Sequence, residues 1–321
     1  MPPESSLDGR VLVTGGSGFV GRAVLDRLSE RGSTGVVAPT SAEFDLTRPD
    51  DVDALFHKVE PDVVIHLAAR VGGIGANRAH PADIYLANLL MGTYVIEAAR
   101  RLGTPKTVVI GTICSYPKLT PVPFREESLW DGYPEETNAP YGLAKKALLV
   151  HAQSNRAEHG QNAVYLMPTN LYGPGDKFHP AVSHVIPALI KKCLAAKERD
   201  ENEVVVWGTG SASREFLYVN DAARGIVAAA ERYDGAEPVN LGSGEEISIR
   251  DLAERIAHTV GFAGELRWDP TEPDGQPRRQ LDTSRAYQLF GFRAETPFDE
   301  GLRRTVDWYL AHRDEAEARR S

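Results

Sequence analysis

Val11-Leu12-Val13-Thr14-Gly15-Gly16-Ser17-Gly18-Phe19-Val20-Gly21 is the stretch whose reading decides the fold. An apolar strand runs into Gly16-x-Gly18-x-x-Gly21, and Gly15 extends this to the looser Gly15-x-x-Gly18-x-x-Gly21. Val20, Val24 and Leu28 then recur at helical spacing, and Gly32 ends the run. Such a loop has a physical use. Without Cβ atoms the backbone turns tightly and can approach a pyrophosphate. The helix start adds N–H groups and positive potential. An ordinary turn would not need to sit between a strand and a helix, so this context favours dinucleotide binding.

Downstream, short apolar runs alternate with helical patterns. Gly35-Val36-Val37-Ala38, Asp62 to Ala69, Thr107-Val108-Val109-Ile110 and Ala163-Val164-Tyr165-Leu166 read as strands, Asp62 to Ala69 as a buried one. Residues 51–59, about 81–102 and 140–159 read as helices. This rhythm predicts an α/β fold, a doubly wound parallel sheet covered on both faces. From about Pro174 the rhythm breaks into prolines, glycines and isolated helices such as Ser248 to Val260, with Ser248 as N-cap and Asp251 at N3. We therefore expect a Rossmann domain over 1–170, with segments returning around 214–245. A smaller, looser substrate region would occupy mainly 171–321. The charged tail from Asp314 to Ser321 is expected to fray.

Composition excludes several function classes. At 321 residues, 42% hydrophobic and 25% charged, the chain can bury a large core without metals or disulfides. Two cysteines make no framework, and their free thiols suit a reducing, cytoplasmic compartment. A net charge of -9 argues against a general nucleic-acid binder. No apolar run approaches the ~20 residues of a membrane span, and Met1 to Ser6 carry no signal-peptide core. No Cys/His spacing suggests a metal.

Ala38-Pro39-Thr40-Ser41 ends the second strand without the acid that reads a ribose or the arginine that reads a 2′-phosphate. Thr40 and Ser41 are candidate phosphate donors, or plain surface hydroxyls. Asp45 is within reach of an adenine amino group. Tyr141-Gly142-Leu143-Ala144-Lys145 sets a phenol and an ammonium on one helix face. This pair lies about 120 residues beyond the glycine loop. Lys145 is expected to lower the Tyr141 pKa and bind the nicotinamide ribose. Tyr141 would exchange a proton with the substrate oxygen as hydride moves. Thr112, after Ile110-Gly111, can hydrogen-bond the reacting carbonyl.

Longer stretches are more specific. Val71-Gly72-Gly73-Ile74, Cys114-Ser115-Tyr116-Pro117-Lys118 and Met167 to Pro174 lead the set. Phe178-His179-Pro180, Ser183 to Leu189, Val206-Trp207-Gly208, Arg214-Glu215-Phe216-Leu217 and Pro273-Asp274-Gly275 complete it. With these the chain resembles, over nearly its whole length, the extended short-chain dehydrogenase/reductase family, within it the GDP-L-fucose synthases. These are GDP-4-keto-6-deoxy-D-mannose 3,5-epimerase/4-reductases. The resemblance implies a reductive site of Thr112, Tyr141 and Lys145, with Cys114 and His184 as the base and acid that invert carbons 3 and 5. It implies a cofactor lining of Gly15, Gly16, Ser17, Gly18, Phe19, Val20 and Gly21. Leu67, Ala68, Ala69, Ile110, Gly111, Lys145, Pro168, Asn170, Leu171 and His184 continue it. Asn170, Lys192, Trp207, Arg214, Asp274 and Arg279 would hold the GDP-sugar. A homodimer through the two long helices is also expected.

The chain departs from the family at Ser17 and Ser41, where arginines often read the NADP phosphate, and at Lys192, where arginine is common. NADP is expected first, with NAD possible and weak discrimination between them. Other readings stay open. Cys114 can be a small buried hydrophobe, and His184 a structural histidine. His66 and His179 read as structural, and Cys193 as packing. The function can also be that of a related nucleotide-sugar epimerase or 4-ketoreductase with part of this chemistry, or of a non-catalytic dinucleotide sensor. A dehydratase is disfavoured, since its Asp-Glu pair is absent at Thr112-Ile113.

Overall fold

Neighbouring residues on the early strands point to opposite faces, and both faces are covered. The computed structural model describes residues 7–72, 74–180, 182–272 and 274–318. Its first half runs β1 (Arg10–Thr14), α1 (Phe19–Arg31), β2 (Gly35–Val37), α2 (Pro49–Val59), β3 (Val63–His66), α3 (Ile74–Ala79), α4 (Pro81–Arg101), β4 (Lys106–Ile110), α5 (Ala139–His159) and β5 (Ala163–Pro168). Val11, Val13, Ile65, Val108, Val164 and Leu166 bury one way, against Val24 and Leu28 of α1. Leu12 and Val64 bury the other way, against Val52, Leu55 and Phe56 of α2 and Val95 of α4. Each such aliphatic side chain contributes roughly 1.5–3 kcal/mol on burial.

The second half runs β6 (Asn170–Tyr172), α6 (Val185–Glu198), β7 (Glu203–Trp207), β8 (Ser213–Tyr218), α7 (Val219–Arg232), β9 (Val239–Leu241), β10 (Glu246–Ser248), α8 (Ile249–Val260), β11 (Glu265–Asp269), α9 (Ser284–Phe290), α10 (Phe298–Ala311) and α11 (Arg313–Ala318). β9 closes a six-stranded sheet of order β2-β1-β3-β4-β5-β9. All its pairings are parallel. The order reverses between β1 and β3, and at such a point the strand ends leave a crevice for ligands. The glycine loop follows β1 there, and Leu67 to Ala69 follow β3.

Beyond β5 the chain is better ordered than its broken rhythm predicts. A three-stranded sheet (β10-β8-β6) and a two-stranded one (β11-β7) share a second core. Ile186 and Ile190 of α6, Leu252 and Ile256 of α8, and Leu302 and Val306 of α10 fill it. These strands are three to six residues long, as in the first half, but β7–β8 and β9–β10 follow one another with no helix between, so the strand–helix alternation is lost. The tail also departs from expectation. Instead of fraying, it continues as α11 to Ala318, held by Arg313 to Glu198 (2.6 Å), Lys191 to Glu317 (2.8 Å) and buried Ala316. Met1 to Ser6, Gly73, Ala181, Pro273 and Arg319 to Ser321 lie outside the described residues. Ser248 Oγ accepts from Asp251 N at 2.9 Å, the N-cap predicted for α8.

Candidate active site

Three close approaches explain the glycine loop. A Cβ on Gly15, whose φ is +73°, would sit 2.7 Å from Ala68 N. One on Gly16 would meet Ala38 Cβ at 2.7 Å, and one on Gly21 the Gly15 oxygen at 2.1 Å. Gly18 N donates to Gly15 O at 3.0 Å, closing the turn. Gly18 then caps α1 with no side-chain bond, and no acid lies in its first turn, so the helix start faces outward with its N–H groups available. Ser17 is exposed, and Phe19 and Val20 are half-buried. These features fit a pyrophosphate cradle.

At the end of β2 the hydroxyls have local partners. Thr40 N and Oγ1 both donate to Glu43 Oε2, at 2.8 and 2.9 Å. Asp45 Oδ1 accepts from Thr47 N and Oγ1, which hold its pKa below the ordinary value. Ser41 is exposed. Leu67 N and Ala68 N donate back to Thr14 O and Oγ1, at 3.1 and 3.4 Å. Gly111 N donates to Leu166 O at 2.7 Å, and a Cβ on Gly111 would strike Tyr165.

Thr112 starts a 3₁₀ turn, Ile113–Ser115, and its Oγ1 accepts from Cys114 N at 3.2 Å. Cys114 is half-buried. Tyr141 and Lys145 stand one turn apart on α5. Ser115 Oγ donates to Gly142 O at 2.9 Å, which ties α5 to the turn, and Tyr165 Oη donates to Lys145 O at 2.7 Å, which ties it to β5. Burial, then the nearby Cys114, raises the Tyr141 phenol well above its ordinary value. This corrects the expected direction: desolvation outweighs any help from Lys145. The Lys145 ammonium is itself buried and pulled down to about 8 by desolvation. Its Nζ makes no hydrogen bond to the described residues, an open donor set that suits a ribose. His66 is fully buried; Nδ1 pairs with Thr14 Oγ1 at 2.8 Å, and burial, then Lys145, lowers its pKa to about 3.

His184 caps α6 with an exposed residue surface and no side-chain cap bond. Protein around the imidazole, then Lys177, holds its pKa below the ordinary value. Among the described residues no hydrogen bond joins His184 to Cys114 or Tyr141. Pro168 ends β5, and Asn170 and the half-buried Leu171 open β6. Asn170 Nδ2 donates to Glu215 O at 2.9 Å.

The charged side converges on the same thiol. Lys192 of α6 stands 5.5 Å over the exposed Trp207 ring and donates to Val205 O at 3.2 Å. Asp274 Oδ1 accepts from Thr209 N at 2.7 Å and fixes the turn after Trp207. Arg214 Nη2 reaches Asp274 O at 3.1 Å. Burial, then Arg279, lowers the Arg214 pKa to about 10. Arg279 Nη1 lies 3.7 Å from Cys114 Sγ.

Residues 11–242 match the family model described as the NAD dependent epimerase/dehydratase family. GDP-L-fucose synthase 1 of Arabidopsis thaliana is 46% identical over 306 residues, 95% of this chain and 94% of the relative. The Escherichia coli GDP-L-fucose synthase is 38% identical over 95% of this chain and 98% of its own. A solved Naegleria fowleri GDP-L-fucose synthetase bound to NADP superposes with a TM-score of 0.88, at 30% identity and 97% coverage of both chains. The chain belongs to the epimerase/dehydratase family, among its GDP-L-fucose synthases. It is an NAD(P)-dependent nucleotide-sugar enzyme.

This family member uses residues that reasoning from the sequence passed over. A Cβ on Gly142 would meet Cys114 O at 2.3 Å, so only glycine lets α5 approach the turn. Its signal was present: glycine inside a helix costs about 1 kcal/mol against alanine and implies a packing reason. Buried Glu215 accepts from Leu281 N at 2.6 Å and Gly244 N at 2.8 Å, and burial raises its pKa to about 7. Gln276 orients Arg279 through a 2.6 Å bond. Glu215 stood inside the quoted Arg214-Glu215-Phe216-Leu217 stretch without a role being read, and Gln276 carried no signal.

Proposed function

We propose that the chain converts GDP-4-keto-6-deoxy-D-mannose to GDP-L-fucose, by epimerisation at carbons 3 and 5 and then reduction of the 4-keto group. One observation carries this reading: a thiol lies inside a reductase's hydroxyl–phenol–ammonium set. Cys114 follows Thr112 by two residues, its backbone N–H donating to Thr112 Oγ1, and its side chain neighbours Tyr141, one helical turn from Lys145. A plain reductase has no use for that sulfur.

The cofactor is NADP, carried by Gly15 to Gly21, Leu67 to Ala69, Ile110 and Gly111, and Pro168 to Leu171. Bound there, it supplies the hydride for carbon 4. Lys145 holds the ribose with its open donors, and His184 borders the same pocket. Lys192, Trp207, Arg214, Asp274 and Asn170 hold the GDP-sugar, with Trp207 stacking on the base and Arg214 on the diphosphate.

The 4-keto group acidifies the hydrogens on carbons 3 and 5. Cys114 removes each proton, and the electrons pass into the carbonyl as an enolate. Thr112 and Tyr141 donate to that oxygen. His184 returns a proton on the opposite face. During reduction Tyr141 protonates the alkoxide, and its raised pKa keeps the phenol proton in place until the stronger base forms.

The division of labour follows the chain: a Rossmann domain over 1–170 with 214–245, and a sugar-binding region over most of 171–321. Among the described residues no helix is long and apolar enough to cross a membrane. Two free thiols support a cytoplasmic setting. Exposed Tyr85 and Leu86 on α4 and Val150 on α5 support a homodimer through those helices.

The test uses D₂O without reduced cofactor, with carbons 3 and 5 read by NMR. Cys114→Ser should lose nearly all deuterium uptake, and His184→Asn should slow it. Tyr141→Phe with NADPH should reduce at least ~10²-fold more slowly. Wild-type exchange in Cys114→Ser would remove the thiol from the chemistry.

A further inference from the structure

Among the described residues the buried Arg279 guanidinium has no carboxylate partner. It is 8% exposed. Among the described residues its side chain has two partners, Gln276 Oε1 at 2.6 Å from Nε and Cys114 Sγ at 3.7 Å from Nη1. Gln276 is buried too, and its Nε2 donates to Lys118 O at 2.7 Å. Lys118 lies four residues beyond Cys114. The loop that bears Arg279 is thus tied to the loop that bears the thiol, and the tie aims one edge of the guanidinium at sulfur. A buried cation is costly unless an anion answers it. The group in reach that can become one is Cys114.

Resting on the proposed role of Cys114 as base, we infer that Arg279, oriented by Gln276, holds the Cys114 sulfur as a thiolate and aims it at the substrate carbon. Arg279 is thereby a positioning residue for epimerisation as well as part of the sugar site. An ordinary cysteine is mostly a thiol at neutral pH and a weak base in that form. The charged and titratable groups that face this sulfur are Arg279 from the loop after β11, Arg214 from β8 and Tyr141 from α5. Two are cations, and the third is a phenol kept neutral. Arg279 is the cation in contact with the sulfur, while Asp274 and Glu135 answer part of the Arg214 charge.

The step balances. The thiolate takes the proton from carbon 3 or 5, an S–H bond forms, and the C–H electron pair becomes the enolate. His184 then passes a proton, taken up from solvent, to the opposite face. Solvent restores both groups.

Iodoacetamide alkylation of Cys114, followed against pH in the ligand-free enzyme by peptide mass spectrometry, tests this. Cys193 serves as internal control, since it is buried and pushed up to about 11. Arg279→Gln should move the alkylation midpoint up by about one pH unit, and Arg279→Lys by less. Gln276→Leu should move it the same way with the arginine still present. The ratio of Arg279→Gln to wild-type deuterium uptake at carbons 3 and 5 should be ~0.1 at pH 7 and approach one at pH 9. Circular dichroism and NADP binding check that each variant folds. A higher KM with an unchanged alkylation profile would overturn the inference and leave Arg279 as a sugar ligand. Full exchange by Cys114→Ser would instead remove the base itself, and the inference with it.

Discussion

Between the glycine loop and the Arg214–Arg279 cluster, the working atoms change from backbone to side chain. The loop works because side chains are missing: Gly15, Gly16 and Gly21 sit where a Cβ would meet other atoms at 2.1–2.7 Å. Its residues are contiguous, and the order of β1, loop and α1 is written along the chain. The cluster works because long side chains arrive from distant segments. Lys192 comes from α6, Trp207 from β7, Arg214 from β8, and Asp274 and Arg279 from the loop after β11. A backbone site tolerates no added atom. A side-chain site loses function in increments.

That contrast can be broken by substitution. Gly21→Ala places a Cβ 2.1 Å from Gly15 O, so it should abolish measurable NADP binding while the GDP-sugar side keeps its fold. Calorimetric titration with both ligands checks this, and near-normal NADP affinity would contradict it. Arg214→Ala should weaken the nucleotide-sugar by about 1.5–3 kcal/mol, the size of a charged hydrogen bond, and spare the dinucleotide. Equal weakening of both ligands would move Arg214 out of the sugar site.

Lys145 stands between the two regions and sharpens the comparison through pH. Its folded pKa is about 8, below the ordinary lysine value of 10.5, because its ammonium is desolvated. Between these values the unfolded chain binds more protons, so this group's contribution to stability rises with pH. Below pH 8 the penalty is complete. Lys145→Met should therefore raise the melting temperature of the ligand-free protein by a few degrees at pH 7. The gain should shrink as pH approaches 10, and activity should be lost throughout. A gain independent of pH would mean that packing, not charge, is responsible. The smallest effect concerns the cofactor phosphate. With Ser17 and Ser41 in place of arginines, NADPH should be preferred over NADH by less than ~10³-fold in kcat/KM. A larger ratio would reveal a phosphate-reading side chain elsewhere.

The same contrast explains what the sequence discloses. β1, α1 and the strands through β5 are legible because burial on both faces leaves unbroken apolar runs, and glycine and proline mark their ends. Tyr141 and Lys145 are legible because one helix carries both. β6 to β8 escape notice because they do not alternate one-for-one with helices, β7 running into β8 without a helix between. Gln276 and Glu215 are ordinary polar letters until folding buries them, and nothing local marks a residue whose partner lies 66 or 165 positions away, as with Glu215–Leu281 and Cys114–Arg279. Tyr141 shows a further limit: its position is legible, but the direction of its pKa depends on burial.

The most direct measurement incubates the protein with GDP-4-keto-6-deoxy-D-mannose and NADPH in D₂O, then identifies the product sugar by NMR. GDP-L-fucose with deuterium at carbons 3 and 5 is the expected result. A 4-reduced sugar that keeps the manno configuration and hydrogen at both carbons would contradict the account, leaving a reductase in which Cys114 and His184 take no part.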